Sequence, residues 1–124
     1  MFVLISHAMT DGQKVDAVNT FGIVGFVVLP TTHWSQIPAD ADDITPFLQP
    51  LKGKIMREAK KDDYLFVQGD FGATVSMVNF AYKNGLTPVY ATTQRNSVDT
   101  VVEDKIVTVR EFKHVRYRIY EKGC

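Results

Sequence analysis

Four short apolar runs, each closed by polar or glycine-bearing residues, constrain this chain more than anything else in it. They are Phe2 to Ile5, Gly25 to Leu29, Tyr64 to Val67 and Leu86 to Ala91. Runs of that length, rich in branched and aromatic side chains, suit strands buried on both faces of a parallel sheet. Helical patterns lie between them. Val15, Val18 and Phe21 recur at helical spacing, with Thr10 or Asp11 as the cap and Gly22 as the stop. A second helix is expected from about Pro46 to Lys60, with Thr45 as its N-cap. Its expected buried stripe is Phe47, Leu48, Leu51, Ile55, Met56 and Ala59. A third runs from Ala73 to Lys83 and stops at Asn84-Gly85. Lys105 to Phe112 and His114 to Tyr120 alternate like antiparallel or edge strands. Strands alternating with helices imply right-handed crossovers and one α/β domain of Rossmann-like type over residues 1–124.

Composition narrows the partners. Fourteen Lys and Arg balance fourteen Asp and Glu, so the formal charge is zero. A duplex-DNA binder normally carries a basic excess, whereas a small anion needs only a local cluster of donors. The opening apolar run is too short for a signal peptide or a membrane span, which points to a cytoplasmic protein with no membrane partner. The one cysteine, Cys124, excludes an internal disulfide and fits a reducing compartment; as the last residue it is expected to fray. The three histidines are scattered, so neither a metal site nor a cofactor is expected. The chain has no phosphate-binding loop of the Gly-Lys-Ser/Thr kind and no Gly-x-Gly-x-x-Gly after its first strand.

The ends of the runs carry the candidate chemistry. Gln68-Gly69-Asp70-Phe71-Gly72 sits between a buried run and a helix. Two glycines allow a ligand to approach the backbone, and the helix start offers free N–H groups to an anion. A plain turn with Asp70 as a helix cap is the alternative. Thr92, Thr93 and Arg95 follow the fourth run and suit phosphate or ribose contacts, or form a polar loop. Ser6 and His7 follow the first run. Ligands of open α/β sheets bind outside the carboxyl ends of the strands, and three such ends here are polar. In a regular strand His114, Arg116, Arg118 and Tyr120 share one face, which is either a polyanion site or a solvated surface. In the loop over residues 31 to 44, His33-Trp34 either stacks a base or plugs the core.

Taken in order, Leu4-Ile5-Ser6-His7, the stretch from Asp63 to Ala73, Val89-Tyr90-Ala91-Thr92-Thr93-Gln94-Arg95 and Phe112-Lys113-His114-Val115-Arg116-Tyr117-Arg118 resemble the small CARF-like ring nucleases of type III CRISPR systems. The resemblance implies a homodimer that binds cyclic tetra-adenylate across its two-fold axis and cleaves it. Its matching positions are Ser6, His7, Gln68, Gly69, Asp70, Phe71, Gly72, Thr92, Thr93, Arg95, His114 and Arg116. RNA supplies its own nucleophile, the 2′-hydroxyl, so a protein need only align it, move its proton and stabilise the phosphoryl charge. His7 is the first expected proton carrier and Asp70 the second, with His114 in reserve. A relative that only holds the ring, as a sponge or sensor, uses the same donors. The dimer interface is expected near Phe71, Met77 and the strand ends.

Overall fold

The computed structural model describes residues 1–30 and 34–123. Thr31, Thr32, His33 and Cys124 lie outside them, and with them the base-stacking reading of His33 and the frayed end at Cys124. The elements are β1 (Phe2–Leu4), α1 (Asp11–Phe21), β2 (Val27–Val28), α2 (Thr45–Glu58), β3 (Tyr64–Val67), α3 (Phe71–Lys83), β4 (Thr87–Val102) and β5 (Lys105–Ile119). They form one five-stranded sheet in the order β2-β1-β3-β4-β5. The first four strands are mutually parallel, and β5 returns antiparallel to β4. No helix among the described residues is long and apolar enough to cross a membrane.

The buried strands alternate between two cores. Phe2, Leu4, Leu65 and Val67 face one side, under Leu48, Leu51 and Ile55 of α2 and Ala73, Met77 and Ala81 of α3. Val3, Ile5 and Phe66 face the other, under Ala17 of α1. This two-sided coverage explains the unbroken apolar runs, because each residue in β1 and most in β3 meets a helix on its own face. β5 closes both cores near its end. The ring of Tyr117 meets Phe66 edge-on at 5.2 Å on the α1 side, and its hydroxyl donates to the Gln13 carbonyl. The Tyr120 hydroxyl donates to the Val67 carbonyl on the α3 side.

Several expectations are corrected. In α1 the buried residues are Gln13 and Ala17, while Val15 and Val18 are exposed. Phe21 does pack inward, stacked on Tyr64 and beside Tyr117, while the valines fall on the outer side of the helix. Thr45 is the first residue of α2, whose N-cap is Ile44; Asp43 Oδ1 accepts from the Thr45 N–H instead. Met56 is exposed rather than part of the buried stripe. Trp34 is 2 % exposed and donates its indole N–H to the Gln68 carbonyl at 2.9 Å, so it plugs the α2–α3 core and does not stack a base. Met77 is fully buried and forms no outer surface; Phe71 is exposed.

The largest departure concerns β4 and β5. The fourth strand does not finish at Thr92-Thr93 but runs for 16 residues, and the two alternating segments after it are one 15-residue strand. Residues 94 to 112 form a two-stranded ribbon that is exposed on both faces. The chain reverses at Glu103-Asp104, both with positive φ of 52° and 62°. Two consecutive left-handed residues make the turn whose twist matches paired strands, and a short acidic side chain tolerates that conformation better than a branched one.

Candidate functional site

A cavity of about 500 Å³ opens at the carboxyl ends of the parallel strands, over the start of α1. Its size lies in the range of small-molecule sites, about 300–1,000 Å³. The sheet order reverses between β1 and β3, and in doubly wound sheets the crevice above that reversal is where ligands bind. His7 comes from the turn after β1, Gln68 from the end of β3, and Thr93 from β4 where its parallel neighbours have stopped. Lys113 and His114 come from β5. The floor on one side is the first turn of α1, with Thr10, Gly12 and Gln13.

That first turn is tightly built. Thr10 Oγ1 accepts from the Gln13 N–H, and Gln13 Oε1 accepts from the Thr10 N–H at 3.0 Å. This reciprocal capping box leaves the intervening amides of Asp11 and Gly12 aimed along the positive end of the helix dipole. Gln68 serves as a strut. Its Oε1 accepts from the Ala91 N–H at 2.6 Å and so extends the ladder past the end of β3, keeping β4 in place as it leaves the sheet.

His114 is the more constrained of the two imidazoles in the cavity. Its side chain is 6 % exposed, and Nε2 lies 2.7 Å from Asp16 Oδ2. The other Asp16 oxygen accepts from the Thr20 hydroxyl at 2.5 Å. Burial pushes the Asp16 carboxyl upward, but the hydrogen bonds from Thr20 and His114, with the charges of His114 and Arg116, outweigh it and hold the carboxyl below its ordinary value. His114 Nδ1 is buried and has no hydrogen-bond partner among the described residues. His7 differs in each respect. It is exposed, and its Nδ1 donates to the carbonyl of Ala8, its own neighbour, at 2.8 Å.

A β-bulge explains how His114 reaches this position. Thr92 pairs with Arg116 and Thr93 with His114, so Val115 is left over and the alternation of β5 slips by one. His114 therefore sits on the α1 side beside the Tyr117 ring, at 5.0 Å, rather than in phase with Arg116, Arg118 and Tyr120. The expectation of one shared face fails at this residue.

The remaining candidates lie elsewhere. Asp70 caps α3, with Oδ2 accepting from the Ala73 N–H at 3.0 Å. Gly69 has a packing reason for its identity: a Cβ there would lie 2.7 Å from the Trp34 indole nitrogen. Gly69 and Phe71 border a separate apolar depression with Thr74 and Tyr120, and Gly72 lies in the first turn of α3. Ser6 is exposed beyond β1. The Thr92 hydroxyl donates to the Arg116 carbonyl across the bulge. Arg95 lies at the root of the ribbon with its guanidinium 5.2 Å from the Phe112 ring centre. Arg116 borders an open depression with Thr20, Phe21 and Tyr90.

Of the sequence candidates, His7, Gln68, Thr93 and His114 thus meet in one cavity, and the rest do not. Thr10, Gly12, Gln13, Lys113 and Asp16 were not among them. The capping pattern Thr10-x-x-Gln13 was legible; the pairing of Asp16 with a residue 98 positions away was not. Among the described residues, no three His, Cys, Asp or Glu side chains gather into a metal-binding group.

A sequence model of the "Uncharacterized protein MJ1673 family" matches residues 1–118, which include every residue of the cavity. The chain belongs to the MJ1673 family. A relative from Methanocaldococcus jannaschii, titled "Uncharacterized protein MJ1673", is 46 % identical over 123 residues, covering 97 % of this chain and 95 % of its own length. No solved structure matches.

Proposed function

We propose that this MJ1673-family protein is a CARF-like ring nuclease of Rossmann-like type, cytoplasmic, which binds cyclic tetra-adenylate and cleaves it by attack of a ribose 2′-hydroxyl. Such cleavage removes the second messenger and ends a type III CRISPR defence response. The observation that carries the reading is the convergence of two histidines, Lys113 and the N-terminus of α1 in one cavity. Lys113 and the free α1 amides suit a phosphate; an imidazole can both accept and donate a proton. This donor set performs the reaction without a metal.

A four-nucleotide ring exceeds a 500 Å³ cavity, so two copies are needed to enclose it, and a two-fold assembly matches a ring of repeated units. The ribbon supports a homodimer. An isolated two-stranded ribbon is marginal in water, yet this one exposes Val101, Ile106, Val109 and Phe112. Its charges from Arg95 to Lys113 are four cations and four anions, which permits pairing with itself.

The test is incubation of pure protein with cyclic tetra-adenylate in excess chelator, read by chromatography. Linear products ending in 2′,3′-cyclic phosphate are expected. Tight binding with the ring intact at stoichiometric protein would replace the nuclease with a sponge or sensor, and absence of any thermal shift would remove the nucleotide altogether.

A further inference from the structure

We infer that Asp16 is the positioning residue of His114, and that Nδ1 of His114 is the atom that takes the 2′-hydroxyl proton. The inference rests on the proposed nuclease reading and deepens it, replacing His7 as the expected proton carrier.

Both oxygens of Asp16 are engaged, Oδ1 by Thr20 one turn along α1 and Oδ2 by His114. An ionised carboxylate can only accept, so the hydrogen of the His114–Asp16 contact belongs to the imidazole. In the neutral ring that places the proton on Nε2 and leaves a lone pair on Nδ1. Nδ1 is buried, has no hydrogen-bond partner among the described residues and belongs to a side chain that lines the cavity. Buried polar atoms in folded proteins are nearly always paired, so an orphan at a cavity wall marks a place for a ligand donor. A ribose hydroxyl is such a donor.

The protein holds this arrangement from three sides. The bulge at Val115 turns His114 toward α1, the Tyr117 ring lies against it, and the Asp16 carboxylate accepts from its Nε2. Asp16, Arg116 and Tyr117 are the charged or titratable groups on its packed side, with Lys113 and His7 across the cavity wall. His7 has weaker support: its Nδ1 donates only to the carbonyl of Ala8, its chain neighbour, which leaves Nε2 free, and its ring is exposed rather than packed.

The chemistry balances. The 2′-oxygen forms a bond to phosphorus while its proton passes to Nδ1. The bond from phosphorus to O5′ breaks, and its electron pair leaves with O5′, which recovers a proton from the imidazolium or from water. The products are a 2′,3′-cyclic phosphate and a 5′-hydroxyl. Asp16 balances the imidazolium charge while it lasts.

Two measurements decide the matter. The first needs no nucleotide: nitrogen-15 imidazole spectra of the wild type are expected to show the Nε2–H tautomer for His114, and Asp16→Asn is expected to lose it. An Nδ1–H tautomer in the wild type overturns the inference. The second is single-turnover cleavage of cyclic tetra-adenylate with binding measured separately. His114→Ala should lose about 100- to 10,000-fold in rate. Asp16→Asn should lose about 10- to 100-fold, in line with groups that orient a functional histidine, with little change in affinity. Thr20→Val, a milder change to the same carboxylate, should lose less, and it covers the case in which Asp16→Asn does not fold. Wild-type rates in Asp16→Asn, or a large loss confined to His7→Ala, overturn the inference. If the wild type binds the ring without cutting it, the nuclease reading and the proton transfer fall together, while the spectra still report whether Asp16 sets the tautomer.

Discussion

β3 and the outer half of the β4–β5 pair are both extended backbone, yet they are stabilised in opposite ways. In β3, Leu65, Phe66 and Val67 are fully buried, with a helix over each face and a parallel strand on each side. In the ribbon from 94 to 112, no residue is buried and each strand has one neighbour. Burial of a large apolar side chain contributes about 1.5–3 kcal/mol, so β3 is held by the hydrophobic effect. The ribbon is held by its ladder, by Val and Thr propensity, and by cross-strand pairs such as Thr108 with Asp99 and Arg95 over Phe112. The cavity lies at the boundary, where β4 and β5 leave the covered sheet and the bulge breaks their phase. A functional side chain gains there a rigid base on one side and open space on the other.

The contrast makes graded expectations. Phe66→Ala removes a ring buried against Tyr117 and should cost about 3–5 kcal/mol in urea unfolding. Ile106→Ala in the ribbon should cost within about 0.5 kcal/mol for the isolated chain. Equal costs would erase the distinction, and an Ile106 effect that grows with protein concentration would mean that a second copy covers the ribbon.

Gly69→Ala comes next. Its Cβ would press on the Trp34 indole, so overpacking of about 1–3 kcal/mol is expected, with Trp34 fluorescence reporting a displaced ring. A thermal midpoint equal to that of the wild type would show that the turn yields freely.

Thr10→Ala tests the cavity floor. Loss of the cap should cost about 1 kcal/mol and weaken anion binding, because the amides of α1 lose their orientation. Calorimetric titration with cyclic tetra-adenylate before and after the change would separate the two effects; unchanged affinity would remove the helix start from the site.

The smallest effect is in acid. The Asp16 carboxyl is held below its ordinary value of 3.8 in the folded protein. The stabilisation it brings is therefore complete above that value and disappears as pH falls through the lower folded one. The stability difference between the wild type and Asp16→Asn should narrow below about pH 3.8. A difference that stays constant from pH 5 to pH 2 would mean that the carboxylate charge contributes nothing.

The apolar pattern alone made most strands and helices of the covered sheet readable, though the run from Gly25 to Leu29 is strand only at Val27–Val28, with Val28 exposed. Phe2 to Leu4, Tyr64 to Val67 and the helix ending at Lys83 were legible, because burial on two sides demands an unbroken apolar run and a helix leaves its own period. The polar ends of β1 and β3 were legible for the same reason, as interruptions of that pattern, and they led to His7 and Gln68. Tertiary structure alone decided the rest. Nothing local distinguishes Gly69 making room for Trp34 from Gly69 admitting a ligand, since the neighbour lies 35 positions away in the chain and arrives only on folding. The full length of β4 and β5 followed from their pairing with each other, where exposed residues carry no burial pattern to read. The pairing of Asp16 with His114 depended on one extra residue in β5. A bulge reverses the face of every side chain beyond it, and its place is set by how the two strands meet across the sheet rather than by any residue within either.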